Sequence, residues 1–385
     1  MQLRPDELRA RLEPLFRENF EKRGELGAAI SIWQNGKIVV DLPGGFREAT
    51  CERPWTNDTL VLIWSATKGL ASACLLHAVQ EAEVDLEESV AKFWPEFAQA
   101  GKEAITLAQL LSHQAGLAAL DRAVDILDYD GVIEALEQQA PNWSPGTAHG
   151  YHARTFGFLV DELVRRFAGC SLGKYWRTIF AEPLHLDIWI GLPQDENPRV
   201  ATIYAPKIGT APDPAKFYAD VATSGTFANK VFNSARGLGT VSEMNKPDLR
   251  AVSIASFGGI GSAHSLGKFY AMLANGGELE DRKFFSPDTL RRMTTILSEG
   301  EDRVFQIPTA FSAGFMKDTK LSGRHIFGGS KASFGHPGAG GSHAFADPEN
   351  KIGFAYVMNQ MKQNVLPDEK SLMLVGAVYD SIIGR

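Results

Sequence analysis

The chain has 385 residues, 44% hydrophobic and 22% charged, and its 39 Lys and Arg against 46 Asp and Glu give a formal charge of −7. This balance excludes a disordered chain, and the scatter of the basic residues argues against a nucleic-acid partner. Cys51, Cys74 and Cys170 are odd in number and lack CxxC or Cys/His ligand spacing. Neither a disulfide framework nor a zinc site is signalled, and free buried thiols are expected. No stretch approaches the roughly 18 uncharged apolar residues of a membrane span, and Met1 to Glu25 carries no signal-peptide core. A cytoplasmic protein without a membrane partner is the expectation.

From Pro5 to Arg23 the residues Leu8, Leu12, Leu15, Phe16 and Phe20 recur at helical spacing, which predicts one amphipathic helix. Gly27 to Trp33 and Lys37 to Leu42 are β-rich runs around Gln34-Asn35-Gly36, and Asn-Gly in that setting predicts a type I′ hairpin. The apolar run Leu60 to Trp64 then leads through Ser65 into a helix. Its residues Leu70, Ala71, Cys74, Leu75, Ala78 and Val79 predict a central, buried position. Helical patterns dominate the middle, with long polar or Gly/Pro-bearing connections around 120–150, 194–260 and 299–335. Gly341 to Ala346 and Ile352 to Met358 flank Asp347-Pro348-Glu349-Asn350 and predict a second hairpin, and Ser371 to Ile383 reads as a closing helix.

This order predicts an α/β fold of the α+β kind, an antiparallel sheet flanked by helices plus an all-helical domain. The sheet domain would be discontinuous, 1–64 with 300–385, and the helical domain would span 65–299, with the active site at their junction.

One match to G-x-S-x-G, Gly169 to Gly173, follows a helical run where a nucleophile elbow needs a strand. Gly169 therefore reads as a helix end and Ser171 as a cap. The pattern S-x-x-K, which sets a hydroxyl and an amine one helical turn apart, occurs three times. Ser171/Lys174 and Ser265/Lys268 read as capped, solvated helix starts. Ser65/Lys68 opens the buried helix, where desolvation lowers the amine's pKa and lets it take a proton from serine.

Tyr151 follows the turn Trp143-Ser144-Pro145-Gly146, and its position suits either a packed aromatic or a group that handles a leaving group's proton. Phe334 to Gly341 places glycines, and hence approachable backbone N–H groups, just before a strand. Trp64, Trp143 and Phe334 are candidate walls of an acyl pocket. Gly259-Ile260-Gly261 lacks the third glycine of a dinucleotide motif, and His149 with His152 lacks further ligands, so no cofactor and no metal are expected.

Taken in order, the Ser65-x-x-Lys68 helix, the run Leu110-Leu111-Ser112-His113-Gln114-Ala115-Gly116-Leu117, Tyr151 after Trp-x-Pro-Gly, and Gly335-His336-Pro337-Gly338 resemble the serine β-lactamase and penicillin-binding-protein superfamily. The resemblance is closer to its family VIII carboxylesterases and covers essentially the whole chain. It implies a β-lactamase-like fold, a small-molecule ester as partner, and hydrolysis of short-chain carboxylic esters. Ser65 would be the acylated nucleophile, Lys68 its activating amine and Tyr151 the proton relay. The N–H groups of Ser65 and Ala339 would form the oxyanion hole, His336 and Gly338 would line the site, and His113 would be structural.

Two departures from the pattern bear on substrate. Ala153 stands where class C β-lactamases carry the asparagine of Y-x-N, and His336 replaces the lysine of K-T-G. Both weaken recognition of an anionic amide, which favours an esterase over a class C-like β-lactamase or D,D-peptidase. An acyltransferase on the same fold is the other alternative.

Overall fold

Both halves of one antiparallel sheet come from distant parts of the chain. In a computed structural model describing residues 2–383 apart from 208, 210, 211, 322 and 324, helix α1 (Pro5–Glu21) leads into strands β1 (Gly27–Gln34) and β2 (Lys37–Gly45). Asn35 and Gly36 adopt φ of 52° and 69°, the left-handed pair that the type I′ turn requires. Helices α2 (Thr67–Glu81), α3 (Phe156–Ala168) and α4 (Ala263–Ala274) follow, with shorter segments between them. The chain returns as β3 (Ser298–Glu301), β4 (Pro308–Phe311), β5 (Met316–Lys317), β6 (Phe334–Pro337), β7 (His343–Asp347) and β8 (Ile352–Met358), then ends in α5 (Glu369–Ile383). The strand order is β3-β4-β5-β6-β7-β8-β1-β2, antiparallel at every pairing.

Side chains alternate across a strand, so the two faces take different partners. On β1, Ser31 and Trp33 meet Gly267 of α4. A Cβ at Gly353 of β8 would stand 2.3 Å from the Ala271 nitrogen, so glycine is what lets α4 settle on the sheet. The other face carries the Ile30–Tyr356 pair and is covered by α1 and α5. There Lys370 pairs with Glu25 at 2.9 Å, the Tyr356 hydroxyl donates to the same carboxylate at 2.7 Å, and all three are buried.

Three sequence expectations change. Helix α4, assigned to the helical insertion, packs on the sheet, and β3 begins at Ser298, ahead of the boundary expected at 300. Ser265 and Lys268 are buried inside α4, whose cap is Ser262, and Lys268 donates to the Leu184 carbonyl at 2.8 Å. Cys51 is exposed, whereas Cys74 is buried. Ser171 does cap the short helix Leu172–Trp176, and Gly169 ends α3 at φ 68°, so this serine is engaged in local structure. No helix among the described residues is long and apolar enough to cross a membrane.

Candidate active site

The apolar run before Ser65 is held in a three-stranded sheet, Val61–Leu62 against Gly259–Gly261 against Ile188–Ile190. A Cβ at Gly259 would lie 2.7 Å from the Thr67 hydroxyl and one at Gly261 2.7 Å from Ile188, so the glycine pair serves close packing here. The chain then turns at Trp64, whose φ of 51° is a strained conformation for a bulky residue. Thr67 fixes that turn: its hydroxyl donates to the Trp64 carbonyl at 2.5 Å and accepts from the Gly259 N–H at 2.8 Å. Ser65 sits in a single 3₁₀ turn ahead of α2, half-buried, and makes no capping bond to the helix. Its hydroxyl is left for chemistry.

Lys68 follows one turn later and is fully buried, with its Nζ 3.5 Å from Ser65 Oγ. The amine donates to the carbonyls of Ala153 at 2.9 Å and Ser256 at 2.8 Å. Among the described residues no carboxylate stands within ion-pairing distance of it. Burial, with the positive charge of Arg154 as a smaller cause, pulls its pKa well below the ordinary lysine value. A neutral amine has two hydrogens and one lone pair. Since the two carbonyls can only accept, they take both hydrogens and leave the lone pair for Ser65.

Tyr151 is buried, and its ring stacks on Phe305 at 4.6 Å between centroids, with His113 at 5.0 Å and His336 at 5.9 Å. Lys68 Nζ lies 4.7 Å from the ring centroid. Among the described residues the phenol oxygen makes no hydrogen bond of full geometry, and the Ser65 hydroxyl is its polar neighbour. Burial raises its pKa well above the ordinary tyrosine value, only partly offset by the nearby Ser65 hydroxyl, so the group stays protonated at neutral pH. His113, at φ 61°, accepts the His152 N–H on Nδ1 at 3.1 Å and underpins the tyrosine.

A second carboxylate-centred anchor escaped the sequence reading. Asp302, fully buried, accepts the backbone N–H groups of Tyr151, Val304 and Phe305 on Oδ1 at 3.1, 2.8 and 2.9 Å. Its Oδ2 accepts the Thr309 hydroxyl at 3.1 Å, which in turn takes His149 Nε2 at 2.8 Å. Replacing Asp302 by Ala leaves four donors without their acceptor. The expected cost is about 3 kcal/mol in urea denaturation, with a fall in kcat as Tyr151 loses its anchor. An unchanged midpoint would show that the carboxylate is dispensable.

His336 on β6 is buried, and its Nδ1 lies 2.8 Å from the Pro337 carbonyl. That nitrogen therefore carries the hydrogen, and Nε2 presents an unpartnered lone pair. Burial, then the charge of Lys68, pulls its pKa down to about 3, so the ring is neutral. Gly338, expected as a substrate contact, does not line the cavity. A Cβ there would stand 2.2 Å from the Ile63 carbonyl, so its part is to let β6 close against the turn that carries Ser65. Ala339, next along, does line the cavity, and its N–H donates to no protein acceptor among the described residues.

These parts open onto one cavity of about 510 Å³. Trp64 lines it and stacks on Phe257 at 6.4 Å, whereas Trp143 and Phe334 are outside it. Its outer wall, Phe217, Val221, Phe232 and Leu238, comes from the connection 194–260, which gave no sequence signal for a site.

The model of the family described as Beta-lactamase matches residues 12–376. The chain belongs to the beta-lactamase family. Its antiparallel sheet, flanking helices and helical insertion are the beta-lactamase-like fold. Within the family it is 30% identical over 355 residues to the esterase/beta-lactamase LipL of Mycobacterium tuberculosis, covering 90% of this chain and 80% of LipL. A crystal structure of a family VIII carboxylesterase is 34% identical with a TM-score of 0.87, covering 99% of each chain. A penicillin-binding protein homolog from Caulobacter crescentus is 35% identical with a TM-score of 0.86, again over 99% of each.

Proposed function

We propose that this protein is a serine carboxylesterase acting on short-chain esters through an acyl-enzyme on Ser65. One observation carries the reading: a serine hydroxyl 3.5 Å from a buried amine whose two hydrogens are committed to carbonyls. Ser65 Oγ bonds to the ester carbonyl carbon as its proton passes to Lys68. The N–H groups of Ser65 and Ala339 hold the oxyanion. As the carbon–oxygen bond to the alcohol breaks, the Tyr151 phenol supplies a proton to the leaving oxygen and regains one from Lys68. Water then adds to the acyl-enzyme, gives a proton to the same relay, and the released Ser65 recovers it as the acid departs.

The ester reading is supported over the β-lactam one by Ala153, which lacks the asparagine amide that would contact a β-lactam amide, and by neutral His336, which offers no positive charge beside the scissile bond. A series of 4-nitrophenyl esters with acyl chains of increasing length, run beside nitrocefin, tests it. Ser65-dependent ester hydrolysis is expected, with nitrocefin at least 10²-fold slower in kcat/KM. Faster nitrocefin turnover would overturn the esterase assignment, and diversion of the acyl group to an added alcohol in preference to water would make the enzyme a transferase.

A further inference from the structure

Arg154 lies three residues beyond Tyr151 and is 5% exposed, a guanidinium on the wall of the cavity. Its Nη1 donates to the Phe232 carbonyl at 2.9 Å and its Nη2 to the Gly237 carbonyl. Of its five N–H groups these two are engaged, and Nε is buried with no partner. Among the described residues no carboxylate pairs with it. Among the described residues the only other cation on the wall, Lys362, is already paired with Asp368 at 3.1 Å and Glu369 at 3.2 Å. No Asp or Glu among the described residues lines the cavity, although the chain as a whole carries a net charge of −7.

Other buried polar atoms face the same problem. Trp64 Nε1, Tyr151 Oη, His336 Nε2 and both amide atoms of Asn364 belong to cavity-lining residues and lack hydrogen-bond partners among the described residues. A purely alkyl ester would answer Tyr151 Oη through its leaving oxygen but would leave the others, and a guanidinium with two carbonyl acceptors and no counter-charge, without partners, which is costly for a charge above all. A cleft walled by one sign of charge draws the opposite sign, and the planar fork of arginine suits a carboxylate.

We propose that Arg154 is a specificity-determining residue that binds a carboxylate borne by the substrate, so that the preferred substrates are monoesters of dicarboxylic acids. This deepens the ester-hydrolase reading and rests on it. The anion is recognised by Arg154 and not by His336, whose lone pair beside the scissile bond repels a carboxylate. Burial draws the guanidinium pKa down to about 10, partly offset by Glu243, which leaves it charged at neutral pH.

The test compares the mono-4-nitrophenyl esters of adipic and suberic acids with 4-nitrophenyl hexanoate and octanoate, their neutral partners of equal length. At low ionic strength the wild type is expected to favour at least one anionic ester over its partner by about fivefold or more in kcat/KM. Arg154→Met should lower that ratio at least tenfold, and Arg154→Lys less. A wild type that disfavours both anionic esters overturns the proposal even if neither variant folds. So does a ratio unchanged in both variants, which would make Arg154 a strut for the outer wall alone. Absence of Ser65-dependent hydrolysis of the neutral esters would instead defeat the esterase reading, and the two failures are thereby distinct.

Discussion

Replacing Ser65 by Ala is expected to lower kcat for a 4-nitrophenyl ester by about 10³-fold or more. Without Oγ no acyl-enzyme forms, and the Lys68 lone pair loses the hydroxyl it faces. The turn itself survives the change, because Thr67 and Gly259 hold the Trp64 backbone independently of the serine side chain. The loss therefore falls on kcat and not on folding. Ser171→Ala is the matched control: it removes a helix cap of about 1 kcal/mol and should leave turnover close to wild type. Near-normal activity in Ser65→Ala would sink the nucleophile assignment.

Lys68→Met should cost on a similar scale, about 10³-fold, because the residues of such a unit act together. The pH dependence separates its role from that of Tyr151. The lysine pKa is lowered by burial, and only the neutral amine can accept a proton. The wild-type rate should thus hold at neutral pH and fall as acidity protonates the amine. A base made of ionised Tyr151 would behave oppositely, since burial raises the phenol pKa and activity would appear only in strong alkali. A kcat/KM profile that climbs only above the ordinary lysine range, near about 10.4, would rule out Lys68 as the base. In Lys68→Met the acid limb should vanish along with most of the rate.

The parts of the site that sequence made legible are those whose chemistry demands a residue type at a set spacing. Ser65, Lys68, Tyr151 and His336 do converge, and the apolar run of α2 marked its burial correctly. The parts that escaped are tertiary in origin. Lys68 is held by carbonyls 85 and 188 residues away in sequence, and a carbonyl has no residue signature. Asp302 anchors Tyr151 across 151 residues through a backbone N–H, again without a local pattern. Three of the eight strands were read as a connection, because Ser298-Glu299-Gly300-Glu301 lacks apolar alternation and Met316–Lys317 is too short to show any. Gly338 was legible as a glycine needed for close approach, but the partner approached is the Ile63 carbonyl and not substrate.

The pairing of β1 with β8 sets an order on the life of the nascent chain. Ala28 pairs with Met358, so the inner edge of the first hairpin stays open on the ribosome until nearly the whole polypeptide has been made. Contacts so distant in sequence form slowly, and an unpaired edge invites association with other chains. The helical middle, complete long before, has time to pack while that edge waits. His336 and Ala339 also come from late in the chain, so on the proposed mechanism Ser65 is synthesised well before the second oxyanion donor, and hydrolytic competence would come only with closure of the sheet.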